Sequence, residues 1–346
     1  MALERLYPGS DCRAGLHPRV PVIGYDSRVV RRQFLQTAAA GAIGFSIPRS
    51  CCGQSPEPGT FTYKTAAGCE IRADVYGASP GAVRPAVMWM HGGALIFGNR
   101  KSVTRPFHAG LLQLGYVIVS IDYRLAPETK LPAIIEDIQD AYRWVRDQAV
   151  RFGIDRDRIA TGGGSAGGYL TQMTGFCLDP RPRALVSYFG YGDLIGPWYS
   201  EPDDFYRRQP LVSKEEAYAA VGSTVVSDPP QDNQRGRFYL YCRQNGLWPK
   251  EVAGHDPHTD RKWFERYCPI LNVTAKYPPT ILIHGTNDTD VPYSLSQDMD
   301  AKLSQAGVEH QFVTVGGAGH GLAGAKPEEI AQAAESAVRF VRRHTA

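Results

Sequence analysis

The sequence has no long apolar run, no internal repeat and almost no net charge. At +3 over 346 residues, it implies no polyanionic partner such as nucleic acid. The absence of any fixed period or sustained heptad excludes solenoids, propellers and coiled coils. Seven cysteines are present, but none has C-x-x-C spacing, so a structural zinc site is not expected. The one apolar stretch near the N-terminus, Thr37 to Ile47, is too short to cross a bilayer, and no stable membrane insertion is expected.

What is present is a chain with 43% hydrophobic residues, ample for one large domain that carries an insertion. Residues 1–58 read as a leader and linker. Arg31-Arg32, Gln33-Phe34-Leu35, the mildly apolar Thr37 to Ile47 and then Pro48 have the layout of an export signal. They resemble the twin-arginine type, which implies a periplasmic or extracellular destination. The stretch before the arginines is long for such a signal, which suggests a true start near Val29 or Val30. If the protein is exported, a Cys242–Cys268 bridge is conceivable, with free thiols as the alternative.

Residues 59–346 read as one catalytic domain. Short apolar runs alternate with helical segments: Ala86 to Met90, Tyr116 to Ile121, Arg158 to Thr161, Ala184 to Phe189, Thr280 to Ile283 and Gln311 to Val315. Two strands separated by a turn precede them, from Gly59 to Gly77. Ile134, Ile135, Ile138, Ala141, Tyr142 and Val145 recur at helical spacing, and a helix over 328–341 closes the chain. This pattern predicts an α/β fold with a mostly parallel central sheet flanked by helices. Residues 193–270 break the rhythm. They are rich in aromatics and too long for a plain loop, and read as an inserted cap. Their aromatic rings suit either a substrate platform or the cap's own small core.

In a parallel sheet, functional residues gather where strands end. After Thr161 comes Gly163-Gly164-Ser165-Ala166-Gly167, a G-x-S-x-G pattern between a strand and a helix. Small neighbours allow the sharp turn that holds a serine out as a nucleophile. After Ile283 comes His-Gly-Thr-Asn-Asp288, with Asp290 two residues on as an alternative acid. After Val315 comes Gly-Gly-Ala-Gly-His320. A serine hydroxyl needs a base to take its proton, and the base needs an acid to hold its tautomer. The order serine, acid, histidine is that of the α/β-hydrolases. After Met90 comes His91-Gly92-Gly93-Ala94, whose backbone N–H groups suit an oxyanion hole. His91 and His284 read as structural. His255 and His258 lack the intervening glutamate of a metalloprotease helix and have Pro257 between them, so no metal is expected.

The segments HGG, DYRLAPE (Asp122 to Glu128), GGSAGG, HGTND and GHG resemble the hormone-sensitive-lipase-like branch of the α/β-hydrolase superfamily, over roughly residues 60–190 and 275–340. The resemblance implies Ser165 as nucleophile, His320 as base, Asp288 as acid, and Gly92, Gly93 and Ala166 as oxyanion donors. It also implies Tyr123, Arg124 and Glu128 as supports of the oxyanion loop, and no organic cofactor. Two positions depart from the pattern: Ala94 replaces the last glycine of HGGG, and Gly164 replaces the aspartate before the nucleophile. The expected activity is hydrolysis of a small-molecule carboxylic ester, with short acyl chains favoured because Leu95, Ile96 and Phe97 suggest a modest acyl pocket. An amidase or peptidase on the same triad is the alternative, and a catalytically silent binding protein a more distant one. The oligomeric state is not indicated.

Overall fold

The computed structural model describes residues 57–346 apart from 231 and 233. The leader, its arginine pair and Cys12, Cys51 and Cys52 lie outside the described residues.

Eight strands form a single sheet: β1 (Gly59–Ala66), β2 (Cys69–Tyr76), β3 (Arg84–Met90), β4 (Val117–Ile121), β5 (Ile154–Gly164), β6 (Leu185–Tyr188), β7 (Thr280–Gly285) and β8 (His310–Val315). Their order is β1-β2-β4-β3-β5-β6-β7-β8. Only β2 runs against the rest. Six helices matter here: α1 (Arg105–Gln113), α2 (Leu131–Asp147), α3 (Ala166–Cys177), α4 (Arg235–Asn245), α5 (Tyr293–Gln305) and α6 (Pro327–Thr345).

Alternation along the strands sorts side chains to the two faces. Val186, Ile281 and Ile283 join Phe107 and Leu111 of α1 and Ala337 and Val341 of α6 in one buried cluster. Their neighbours Leu185 and Leu282 point the other way, against Met299 and Leu303 of α5. Helix α6 starts at Pro327, keeps Glu328 and Glu329 in its first turn and ends on Arg342, Arg343 and His344, charges that suit the two ends of its dipole.

Strand β5 departs from the expected span. It begins at Ile154 and runs through Gly164, where a strand over 158–161 is expected. Its first half is charged, with Arg156 and Asp157 exposed and Asp155 and Arg158 partly so, and carries no apolar signal. Its glycine end stays extended because β3 and β6 flank it, with Gly162 opposite Trp89 and Val186.

The chain leaves β3 toward β4 on one side and β5 toward β6 on the other. The crevice at the carboxyl ends of β3 and β5 is therefore the sheet's switch point, where ligands of such sheets bind. The long connection between β6 and β7 is built of short helices and turns, with α4 as its longest helix.

Candidate active site

Ser165 sits between the end of β5 and the start of α3 with φ 57° and ψ −121°. A non-glycine residue with positive φ is held there by its surroundings. The Ser165 N–H donates to the Tyr188 carbonyl at 2.9 Å, and its own carbonyl accepts from Tyr169. The flanking glycines are required by space. A Cβ on Gly167 would lie 2.1 Å from the Met90 carbonyl oxygen, and one on Gly163 would lie 2.4 Å from that of Gly167.

The loop after β3 passes directly beside the serine. A Cβ on Gly92 would be 2.9 Å from the Gly164 carbonyl oxygen and 3.3 Å from Ser165 Cβ. Among the described residues, no backbone hydrogen bond is made by the N–H of Gly92, Gly93 or Ala166. The loop is strained, with positive φ at Gly93, Ala94 and Leu95. Ala94 thus adopts the left-handed conformation that a glycine would reach more cheaply.

His320 lies after β8. Its Nδ1 is 2.8 Å from Asp288 Oδ2. Asp288 has a fully buried side chain, and its Oδ1 accepts from the N–H groups of Asp290 and Val291, each at 2.9 Å. Burial opposes its ionisation, but hydrogen bonds from His284 and His320 outweigh that and hold it well below the usual carboxylate range. For His320, burial disfavours the charged form. Asp290, followed by Asp288, outweighs it and raises the imidazole above its ordinary value.

Ser165, Gly92, Gly93, Ala94, Phe97 and His320 line one cavity of about 290 Å³, together with Trp89, Phe189, Tyr239 and Asp290. All three residues expected as a triad are therefore at one strand-end crevice. Leu95 and Ile96 are not in the cavity wall. Both are fully buried, and only Phe97 of that apolar trio faces the pocket.

The other singled-out residues take distinct places. His91 stacks on Tyr123 at 4.2 Å, and burial pushes it down to about 4, so it is a neutral packing group. Tyr123 Oη donates to the His91 carbonyl at 2.9 Å. Arg124 turns away from the loop and forks onto Asp137 of α2. Glu128 receives the guanidinium of Arg235. His284 is buried, with Nδ1 2.7 Å from Ser296 Oγ and Nε2 3.2 Å from Asp288 Oδ2. His255 pairs with Asp260 and stacks on Trp263, and His258 meets the Ser200 carbonyl. Cys69, Cys177, Cys242 and Cys268 are free thiols.

Several residues of the site carry no motif. Arg235 of α4 donates from Nε to the Ile96 carbonyl at 2.6 Å and from Nη2 to the Ala126 carbonyl at 2.7 Å. Trp248 Nε1 donates to the Ala94 carbonyl at 2.9 Å. The 193–270 segment thus fastens the loop after β3 at two carbonyls. Phe189, at φ 36°, packs edge-on against His320 at 5.0 Å. A Cβ on Gly164 would meet its ring at 2.9 Å, so a larger residue before this serine requires the ring to move. Part of the aromatic set in 193–270 forms that segment's own core: Tyr199 stacks between Trp198 and Trp248 at 3.8 and 3.9 Å.

With this geometry in view, the comparisons with known proteins are specific about fold. Residues 74–188 match the BD-FAE family model, and residues 239–346 match that of the prolyl oligopeptidase family. A solved Staphylococcus aureus protein of unknown function superposes with TM-score 0.68 at 22% identity, over 83% of this chain and 99% of its own. A butyrate-bound esterase from Thermogutta terrifontis does so with TM-score 0.59 at 22% identity, over 83% of this chain and 94% of its own. The chain has the α/β-hydrolase fold and is similar to esterases. Among curated relatives, this α/β-hydrolase is 27% identical to esterase LipC of Mycobacterium tuberculosis, over 69% of the chain and 53% of that protein. It is also 27% identical to the non-reducing polyketide synthase ausA of Aspergillus calidoustus, over 83% of the chain but 14% of the synthase. The chain thus spans about half of the mycobacterial esterase and a small part of the synthase. Among the described residues, no helix is long and apolar enough to cross a membrane.

Proposed function

We propose that this chain hydrolyses carboxylic esters by acyl transfer through Ser165. The observation that carries the reading is the His320–Asp288 contact, opening onto the same small cavity as Ser165 and the glycine loop. Ser165 Oγ attacks the carbonyl carbon while His320 Nε2 takes its proton. The N–H groups of Gly93 and Ala166, with Gly92 beside them, receive the developing oxyanion. The intermediate collapses, His320 returns the proton to the leaving alcohol oxygen, and Ser165 carries the acyl group. Water then repeats the sequence. Asp288, anionic throughout, keeps the His320 proton on Nδ1 and steadies the imidazolium.

A cavity of about 290 Å³ favours short acyl chains, since it lies at the small end of ligand pockets. Turnover of p-nitrophenyl acetate and butyrate by the wild type and by Ser165→Ala tests both claims. The reading requires activity in the first and a loss of several orders of magnitude in the second. Faster cleavage of long-chain than of acetyl or butyryl esters refutes the short-acyl claim. Amide hydrolysis is a second reading, favoured by the prolyl oligopeptidase match over the acid- and histidine-bearing part. Comparing matched ester and anilide substrates separates the two. We also propose export, on the layout of Arg31 to Pro48. N-terminal sequencing of the cell-surface or periplasmic fraction tests it, and an uncleaved chain confined to the cytoplasm refutes it.

A further inference from the structure

Asp290 is not used by the mechanism above, yet its carboxylate stands on the reacting side of the histidine. Its Oδ2 is 3.3 Å from His320 Nε2, the atom that hands the proton to the leaving oxygen. Its Oδ1 is fully engaged on the far side. Tyr206 Oη donates at 2.6 Å, Arg243 Nη1 at 2.8 Å, and Tyr239 Oη donates as well. These donors come from the segment between β6 and β7, so the cap aims the carboxylate. Arg243 does not cancel its charge alone, because Asp203 Oδ2 shares that guanidinium at 2.6 Å. Two carboxylates against one arginine leave an excess negative charge, Asp290 is in the cavity wall, and Oδ2 is its oxygen nearest His320 Nε2.

We infer that Asp290 is a specificity-determining residue that accepts a hydrogen bond from a donor on the leaving alcohol, one carbon removed from the ester-bearing carbon. The inference rests on the ester-hydrolase reading and deepens it. The leaving oxygen sits within hydrogen-bond reach of His320 Nε2, and so does Asp290 Oδ2. The distance between two oxygens of a vicinal diol plus one hydrogen bond of about 2.7 Å spans the two positions. A hydroxyl or a protonated amine both meet the requirement. A plain alkyl group at the same place leaves the carboxylate desolvated without a partner, and that is penalised. The preferred substrates are therefore esters of polyhydroxy or amino alcohols rather than of simple alkanols.

The test compares kcat/KM, which reports acylation, for isosteric acetate pairs. One arm sets 2-hydroxyethyl acetate against propyl acetate. The other sets 2-(dimethylamino)ethyl acetate, protonated at neutral pH, against 3-methylbutyl acetate. The wild type is expected to prefer the donor-bearing partner by about tenfold or more in at least one arm, the factor a hydrogen bond to a charged group supplies. The arm that responds names the donor. Asp290→Asn, which replaces an acceptor by an amide, should bring that ratio close to one. Each ratio is taken within one enzyme, so a change in His320 basicity or in the folded fraction cancels. A wild-type ratio near one in both arms overturns the inference without any variant. A wild-type preference that survives in Asp290→Asn overturns it too, since the donor is then read elsewhere. If folded wild type cleaves none of the four esters nor p-nitrophenyl acetate, the ester-hydrolase reading itself fails, and this inference falls with it.

Discussion

Replacing Arg235 by methionine removes the fastening between the β6–β7 segment, the proposed cap, and the glycine loop after β3 that we propose presents the oxyanion donors. The guanidinium makes four hydrogen bonds: to the carbonyls of Ile96 and Ala126, and a fork onto both oxygens of Glu128 at 2.7 and 2.8 Å. The Glu128 side chain is 1% exposed. Burial alone would raise its pKa, but the Arg235 fork and the Gly222 N–H outweigh it and hold it below its usual value. Leaving one partner of a buried ion pair costs about 3–5 kcal/mol, so Arg235→Met should lose roughly that much in urea unfolding. The added change Glu128→Gln removes the stranded charge and should recover a large part. Because the Glu128 pKa is depressed on folding, its contribution is present above the unfolded-state pKa and disappears as pH falls through the folded-state value. The stability gap between wild type and Arg235→Met should therefore narrow in acid. The same variant frees Ile96, next to two residues with positive φ, and lets the loop relax. Loss of a single oxyanion donor costs about 10²–10³ in kcat, so a loop that only shifts should cost about tenfold or more in kcat on p-nitrophenyl acetate, with a smaller change in KM. A variant within about 1 kcal/mol of wild type with unchanged kcat would refute the claim that the cap holds the loop.

Other expectations follow from the same geometry. Asp288→Asn removes the acceptor that fixes the His320 tautomer, and kcat should fall by about four orders of magnitude while a denaturant melt shows the fold retained. Because His320 must be neutral to act as base and its pKa is raised, first against burial by Asp290 and then by Asp288, kcat/KM should drop as pH falls through a midpoint above the ordinary histidine value of about 6.5. A midpoint below it would contradict the assigned surroundings. Gly164→Asp should not restore the family pattern: the new side chain meets Phe189, should cost about 1–3 kcal/mol by overpacking, and should lower activity by moving the ring off His320. Adding Phe189→Ala should recover part of the lost activity.

The sequence was most informative where chemistry and fold coincide. Ser165, Asp288 and His320 each follow a short apolar strand, and parallel strands deliver their carboxyl ends to one edge. The glycines around Ser165 signal close backbone approach, and the structure shows what approaches: the carbonyls of Met90 and Gly167. The charged start of β5 was not legible, because solvent-facing Asp155 to Arg158 have no apolar period. Leu95 and Ile96 are apolar for the core rather than for the pocket, a distinction that residue type alone does not make. Arg235, Trp248 and Arg243 lie in a segment with no motif; Arg235 and Trp248 act across more than a hundred residues of chain on Ile96 and Ala94, and Arg243 acts across 47 and 40 residues on Asp290 and Asp203. Such contacts depend on how the short cap helices pack. Asp290 was visible only as a rival to Asp288. Position separates them: one carboxylate meets Nδ1 of His320 and the other meets Nε2.

The measurement that tests the central claim most directly is covalent trapping. Wild type is incubated with a fluorophosphonate, which reacts with activated serine hydroxyls, and the adduct is located by peptide mass spectrometry. One adduct per chain is expected, on the peptide carrying Ser165, formed quickly in wild type and very slowly in folded His320→Ala. An adduct on another serine, or none on folded wild type, would contradict the assignment of Ser165 as the nucleophile.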